Sequence, residues 1–362
     1  MSRLRLGVVG IDHYHSTGWV ESFEHFADLI EIVALYDPNP EIGTTLAPRF
    51  HDPGLSPALD PKYRALPFYF DLGTMLAEQR LDLALVTSLN RDAPAAIETL
   101  ARAGVHILAD KPVARTASEA RRAFATARTA GVTVTVGLGK RASAGWLDAR
   151  RMVAAGRLGK LYSTEALFTT SSVLVRNPTN HLFHDPMGRG ILSWLGIHDV
   201  DALQWISGEP IVEVQAMTAN VGGQAIEVED AVSASLRYAG GGLGTLHFVN
   251  AFPRPGSDGY MAFRGEKGSI RIEYTGDLVW RGSGDRRDPL MVEERHYELA
   301  EVGGYGAGSL IQIQDWLDAI RDRRDPMVTG EDLVRALEVI DAIYESATSG
   351  QRIRVTSRQG PG

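Results

Sequence analysis

Residues 6–19 read LGVVGIDHYHSTGW. An apolar strand pattern ends at Gly10 and gives way to a helical one, the arrangement that presents backbone N–H groups to an anionic pyrophosphate. Such turns use three glycines for the tight bend and the close approach of the ligand. Aligning Gly10 with the first of them puts Asp12 and His15 where the second and third would stand. An aspartate there repels a pyrophosphate unless its carboxylate points away, for instance to cap the helix. Gly10, Ile11, Asp12, His13 and His15 are therefore the candidate cofactor turn, with both histidines placed to meet the nicotinamide half or the substrate.

Working outward, the next strand pattern, EIVALYD, ends at Asp37, about 20 residues beyond the turn, where an acidic side chain can accept from ribose hydroxyls. That reading favours NAD over NADP; the competing one is that Asp37 opens a turn before Pro38. Four more short strand patterns, PFYF, LDLALVTS, HILAD and VTVTVG, alternate with helical stretches at Gly18–Asp28, Leu72–Gln79, Ala93–Ala103 and Ala117–Ala130, the last preceded by Thr116 as N-cap. Alternation of this kind predicts parallel strands with crossover helices, a doubly wound sheet. Pro38, Pro40, Pro48, Pro53, Pro57 and Pro61 predict an irregular excursion over 38–66.

After Gly137 the pattern changes. KLYSTEALFTTS, IVEVQAMTANV, DAVSASLRYAGGGLGTLHFVNAF, YMAFRGEKGSIRIEY and GDLVWRG are long strand patterns joined by glycine turns, which predict a mainly antiparallel open sheet. Helical stretches at Gly190–Ile206, Ser309–Arg323 and Gly330–Thr348 complete an α+β half. The expected domains are 1–137, dinucleotide-binding, and 138–362, for substrate binding and oligomerisation.

Composition sets limits. The 362 residues are 44% hydrophobic, enough for two cores, and the net charge of −8 offers no basic footprint for nucleic acid or anionic membrane. Without cysteine there is no thiolate nucleophile and no Cys-ligated metal. The chain lacks a membrane-length apolar run and a signal-peptide pattern at its start, so a cytoplasmic protein is expected.

Three further stretches carry a family resemblance: ILADKPVA at 107–114, GRGILSWLGIHDVDALQWISGEP at 188–210 and IRDRRDPMVTGEDLVRALEVIDAIYESATSGQRIRV at 320–355. With AGRLGKLYSTEA and FRGEKGSIRIE, they make the chain resemble the glucose-fructose oxidoreductase/inositol dehydrogenase (Gfo/Idh/MocA) family over nearly its whole length. The resemblance implies an N-terminal Rossmann domain and a C-terminal domain whose open sheet packs against another subunit, as a homodimer or homotetramer. It also implies an NAD(P)-dependent oxidoreductase acting on a hydroxyl or carbonyl of a sugar, inositol or related polyol.

The family's Glu-Lys-Pro motif stands here as Asp110-Lys111-Pro112, so the resemblance makes Lys111 the catalytic lysine and a substrate contact, able to stabilise a developing alkoxide at a strand end, with Asp110 and Lys111 also cofactor contacts. Its Asp-x-Gly-x-His-x-x-Asp motif stands as Trp194 to Asp201. His198 matches the family's acid–base histidine and Asp201 packs the helix, but Trp194 replaces the carboxylate one turn earlier and cannot exchange a proton. Trp194 would instead be an aromatic wall of the substrate pocket. His181, His184 and Asp185, in a region that lines the pocket of similar proteins, are further substrate candidates, and no metal site is expected. Thr87, Ser88 and Asn90 follow the fourth strand where the family has Thr-Pro-Asn, as cofactor contacts or as an ordinary strand-to-helix turn. Arg141 would hold either substrate or the domain interface. Two rival functions remain: glycoside cleavage with transient NAD oxidation and no net redox, or a non-catalytic dinucleotide- or sugar-binding regulator.

Overall fold

The computed structural model describes residues 3–13, 15–47, 58–171, 189–223, 225–251, 257–283, 289–297 and 304–356. The chain divides into two compact units, Met1–Gly139 with Leu299–Val334, and Lys140–Glu298 with Arg335–Gly362. The division is not a single cut near residue 137, because Leu299–Val334 returns to the first unit.

The first unit is built on β1 (Leu4–Val9), β2 (Ile30–Tyr36), β3 (Phe68–Tyr69), β4 (Leu83–Val86), β5 (His106–Ala109) and β6 (Val134–Val136). All pairs are parallel and the order is β3-β2-β1-β4-β5-β6. Direction reverses between β1 and β4, and in open α/β sheets that crevice outside the carboxyl ends of the strands is where ligands bind. β4 is buried at every position, which is why LALV has no polar alternation. Helices α1 (Ser16–Glu24), α3 (Leu72–Glu78), α4 (Ala93–Arg102) and α5 (Ala117–Thr129) follow β1, β3, β4 and β5. Thr116 caps α5, its side chain accepting from Glu119 N at 3.2 Å.

Two described segments of the proline-rich stretch are helical. Pro40 opens a short helix, α2 (Pro40–Thr45), because a first-turn proline loses no bond and Asn39 caps it by accepting from Glu41 N at 3.1 Å. Pro61 opens a 3₁₀ turn, Pro61–Ala65, in the same way, with Asp60 accepting from Lys62 N at 2.8 Å. The prolines at 48, 53 and 57 lie outside the described residues. Helix α8 (Ala307–Asp322) puts Ile313 and Trp316 into the core with Trp19 and Phe23 of α1, and Ser309 Oγ hydrogen-bonds Ser22 Oγ at 2.8 Å.

The second unit is a nine-stranded sheet ordered β14-β13-β12-β11-β7-β10-β9-β8-β15. Its strands are β7 (Leu161–Thr170), β8 (Ile211–Ala219), β9 (Ala231–Tyr238), β10 (Leu243–Val249), β11 (Ser257–Gly265), β12 (Gly268–Glu273), β13 (Leu278–Gly282), β14 (Met291–Arg295) and β15 (Ile353–Arg354). Among the described residues of this sheet, only β7 and β10 pair in parallel. Burial alternates along β9 and β10, so one face of the sheet is packed and the other open. Helices α6 (Ala144–Ala154), α7 (Ile197–Ser207) and α9 (Gly330–Ser349) complete the fold, α7 entered through a π-helical turn, Leu192–Gly196. No helix among the described residues is long and apolar enough to cross a membrane.

Two buried ion pairs pin α7. Arg141 Nε and Nη2 grip Asp201 at 2.9 and 2.6 Å, and Lys140 Nζ pairs with Asp199 while stacking over the Trp146 and Tyr274 rings at 4.4 and 4.3 Å. Burial lowers the Lys140 ammonium against the opposing pull of Asp199. Breaking a buried pair strands its partner's charge, so Arg141→Ala should cost about 3–5 kcal/mol of unfolding free energy, read by urea denaturation.

Candidate functional site

Gly10 stands at the end of β1 with φ +93°, a left-handed conformation that favours glycine. A Cβ built there would lie 2.3 Å from Ser88 N and 2.4 Å from Ser88 Cα, so the backbones ending β1 and β4 touch at this point. Thr87 Oγ1 donates to Gly10 O and Ser88 Oγ to Val9 O at 3.3 Å, which ties the two strand ends together. The first glycine of the expected turn is thus required by contact.

Asp37 holds the rest of the turn. Its Oδ2 accepts from Ile11 N at 2.9 Å and Asp12 N at 2.8 Å, and its Oδ1 from Asn39 N at 2.9 Å. Burial pushes this carboxyl up, and the three amides oppose the rise. A carboxylate offers about four acceptor sites, so one remains for a ribose hydroxyl beyond the three amides. The sequence reading offered ribose contact or a turn before Pro38; the structure adds a tether to the glycine turn. Asp12 does not appear as a cap of α1, whose N-cap is His15 and lacks a side-chain cap bond.

A cavity of 590 Å³ opens beside these groups. Gly10, Asp12, His13, Asp37 and Ser88 line it with Asp71, Asp92 and Arg91, the last three not foreseen from the sequence. Its size and its position at the strand ends fit part of a dinucleotide. Thr87 and Asn90 are buried nearby in sequence, Thr87 engaged with Gly10 as described.

At the end of β5, Asp110 and Lys111 are both buried and the Lys111–Pro112 peptide is cis. Asp110 receives two side-chain donors from the α1 region: His15 Nδ1 lies 2.7 Å from Oδ2, and Trp19 Nε1 donates to Oδ1 at 2.9 Å. Burial would raise the Asp110 carboxyl, but the positive fields of His15, Lys111 and His13 outweigh it and hold the group well below the usual carboxylate range. His13 Nδ1 accepts from His15 N at 3.1 Å, and the two rings meet edge to face at 4.7 Å. Tyr305, from the returning segment, sets its ring against His15 at 5.2 Å and Trp19 at 5.4 Å. One ligand atom each of His13, His15 and Asp110 fall within 4.8 Å of one another. Trp19 and Tyr305 were not read as site residues; Trp19 sits one helical turn after His15, a spacing that could have suggested it.

In the second unit, His198 is half-buried on α7. Trp194 is buried and its indole N–H donates to Arg189 O at 3.2 Å. Arg141, expected at substrate or an interface, donates from Nε and Nη2 to Asp201. His181, His184 and Asp185 lie outside the described residues.

Comparison with known proteins decides the family. The oxidoreductase-family NAD-binding Rossmann fold matches residues 4–138, and the GFO/IDH/MocA C-terminal domain matches 146–271. The chain belongs to the Gfo/Idh/MocA family. It is an NAD(P)-binding oxidoreductase of that family. Among its curated relatives, 1,5-anhydro-D-fructose reductase of Ensifer adhaerens is 26% identical over 71% of this chain and 75% of its own. The rhizopine catabolism protein MocA of Rhizobium meliloti is 24% identical over 95% of both chains. The oxidoreductase domain protein of Kribbella flavida shares the fold with a TM-score of 0.82 and 21% identity, covering 99% of this chain and 100% of that one. Levoglucosan dehydrogenase, solved with NADH and levoglucosan, gives 0.80 at 18% identity over 98% and 100%.

Gly10→Ala should place a methyl inside the Ser88 backbone and separate β1 from β4. The expected outcome is loss of NADH binding by calorimetry together with a lowered Tm, since a backbone cannot yield as a flexible side chain does.

Proposed function

We propose that this oxidoreductase uses NAD in preference to NADP and acts on a secondary hydroxyl or ketone of a sugar, inositol or related polyol. The observation that carries the cofactor choice is the charge of the cavity: among the described residues Asp12, Asp37, Asp71 and Asp92 line it with Arg91 and His13. A ribose 2′-hydroxyl can donate to Asp37, whereas a 2′-phosphate would meet like charge. The substrate class is supported by the activities that the relatives' names carry, including levoglucosan dehydrogenase and inositol 2-dehydrogenase.

In this reading a nicotinamide held at the strand ends would supply the hydride chemistry. Lys111, at the end of β5, donates a hydrogen bond to the reacting oxygen and stabilises the charge developing on it. Gly10, Ile11, Asp12, His13, Thr87, Ser88 and Asn90 hold the dinucleotide, and Asp37 holds the ribose while shaping the turn. His198 contacts the substrate and is the histidine that the family motif assigns to proton exchange. His181, His184 and Asp185 remain substrate candidates by resemblance. Homodimers or homotetramers form through the open face of the sheet, where Met217 on β8 and Leu243 on β10 are exposed at 74% and 53%.

Calorimetric titration with NAD, NADH, NADP and NADPH tests the cofactor assignment. NADH should bind at least about tenfold tighter than NADPH, a difference of about 1.4 kcal/mol, and equal affinities would refute the charge argument. A panel of myo-inositol, levoglucosan and 1,5-anhydro-D-fructose, followed at the NADH absorbance in both directions, tests the substrate class. Lys111→Ala should lower kcat by about 10²–10³ with NADH binding retained. Wild-type protein inert on every polyol and ketose tested would sink the assignment.

A further inference from the structure

The family motif places its acid–base histidine one helical turn after a carboxylate, and here that position carries Trp194. A histidine aligned by a carboxylate does exist, elsewhere in the chain. We propose that His15, oriented by Asp110, is the residue that takes the hydroxyl proton during alcohol oxidation and returns it during reduction. The proposal rests on the reading above that the protein is a polyol oxidoreductase.

The geometry has three parts. First, His15 Nδ1 lies 2.7 Å from Asp110 Oδ2, so an ionised Asp110 fixes the tautomer with the hydrogen on Nδ1 and leaves Nε2 as the basic nitrogen. Second, Asp110 is itself immobilised: Trp19 Nε1 donates to its other oxygen at 2.9 Å, and it is 7% exposed. The hydrogen bond from His15 and the charge of Lys111 hold its carboxyl low, so it can stabilise an imidazolium beside it. Third, Asp110 directly precedes Lys111, and the His15 side chain is 14% exposed, neither sealed in the core nor fully in water. Tyr305 and His13 set their rings edge-on to it at 5.2 and 4.7 Å.

The two departures from the family pattern then explain each other. Aspartate at 110 is one methylene shorter than the family's glutamate, and His15, at the third glycine position, supplies the ring that meets it. In the oxidative direction the O–H bond breaks and its proton moves to His15 Nε2. The electron pair left on oxygen forms the C=O bond as hydride departs to the oxidised nicotinamide, and Lys111 keeps its own proton while holding that oxygen.

A divalent cation on His13, His15 and Asp110 is the competing use of the same atoms. The hydrogen bonds disfavour it: His13 Nδ1 already accepts from His15 N, and an acceptor Nδ1 leaves its hydrogen on Nε2, where a metal would need a lone pair. Lys111 adds a positive charge next door.

Histidine side-chain ¹⁵N NMR of the whole protein, with calorimetry and turnover on the same panel, tests the assignment. Wild-type His15 should show a protonated Nδ1 and a bare Nε2, and Asp110→Asn should populate the other tautomer. His15→Gln should reduce kcat on whichever panel compound turns over by about 10²–10⁴. Its NADH affinity should stay within about threefold of wild type, a margin of well under 1.4 kcal/mol. A bare Nδ1 in the wild type overturns the proposal, as does unchanged turnover in His15→Gln, or a fall in kcat/KM matched by lost NADH affinity, which would make His15 a cofactor ligand only. So does a stoichiometric divalent metal in the purified protein that disappears in His15→Gln. If the wild type turns over no panel compound, the polyol reading has failed and this proposal falls with it.

Discussion

Two backbone amides, Ile11 and Asp12, donate to a single carboxylate oxygen of Asp37, and the nucleotide unit is organised around that contact. Hydrogen bonds to a charged group contribute about 1.5–3 kcal/mol each, and losing the acceptor would leave buried amides unsatisfied. The tether joins the end of β2 to the turn after β1, while Gly10 joins that turn to the end of β4 through direct backbone contact. All three strand ends bordering the switch point are thereby held in one arrangement. A turn that has lost two glycines keeps its shape because a side chain from the next strand grips it.

The same economy operates at the end of β5. Asp110 is fixed by His15 and Trp19, both from the chain that follows β1, so the segment carrying Lys111 is registered against the glycine turn by side chains. In the second unit, consecutive residues Lys140 and Arg141 take consecutive acidic positions of α7, Asp199 and Asp201, on either side of Val200. His198 rides on that helix, beside the two acidic residues that the ion pairs hold. Glu229 reinforces the entry to the helix, accepting from Leu192 N at 3.2 Å and the Tyr344 hydroxyl at 2.7 Å.

Much of the nucleotide unit was legible in the chain. Continuous apolar runs such as LALV mark strands covered on both faces, and Thr116 with Glu119 marks a helix start, because these signals act over a few residues. Gly10, Asp37 and Lys111 were legible as candidates for the same reason: each sits at a strand end, and strand ends are where such a sheet collects its ligands. Within the proline-rich stretch, composition counts prolines without regard to position, whereas Pro40 and Pro61 each occupy a helix's first turn, behind the capping residues Asn39 and Asp60.

By itself, then, the sequence determined the strand–helix alternation, the turn at Gly10 and the acidic end of β2, all set by local periodicity and backbone sterics. Tertiary structure alone decided the partners. His15 and Asp110 stand 95 residues apart, and Arg141 and Asp201 stand 60 apart. Arg141, read in the sequence as a contact to substrate or to a domain interface, clamps Asp201. Local pattern specifies which face of an element is apolar; it says nothing of which distant charge will share a buried site, because that depends on the assembled packing and on the desolvation each charge must offset.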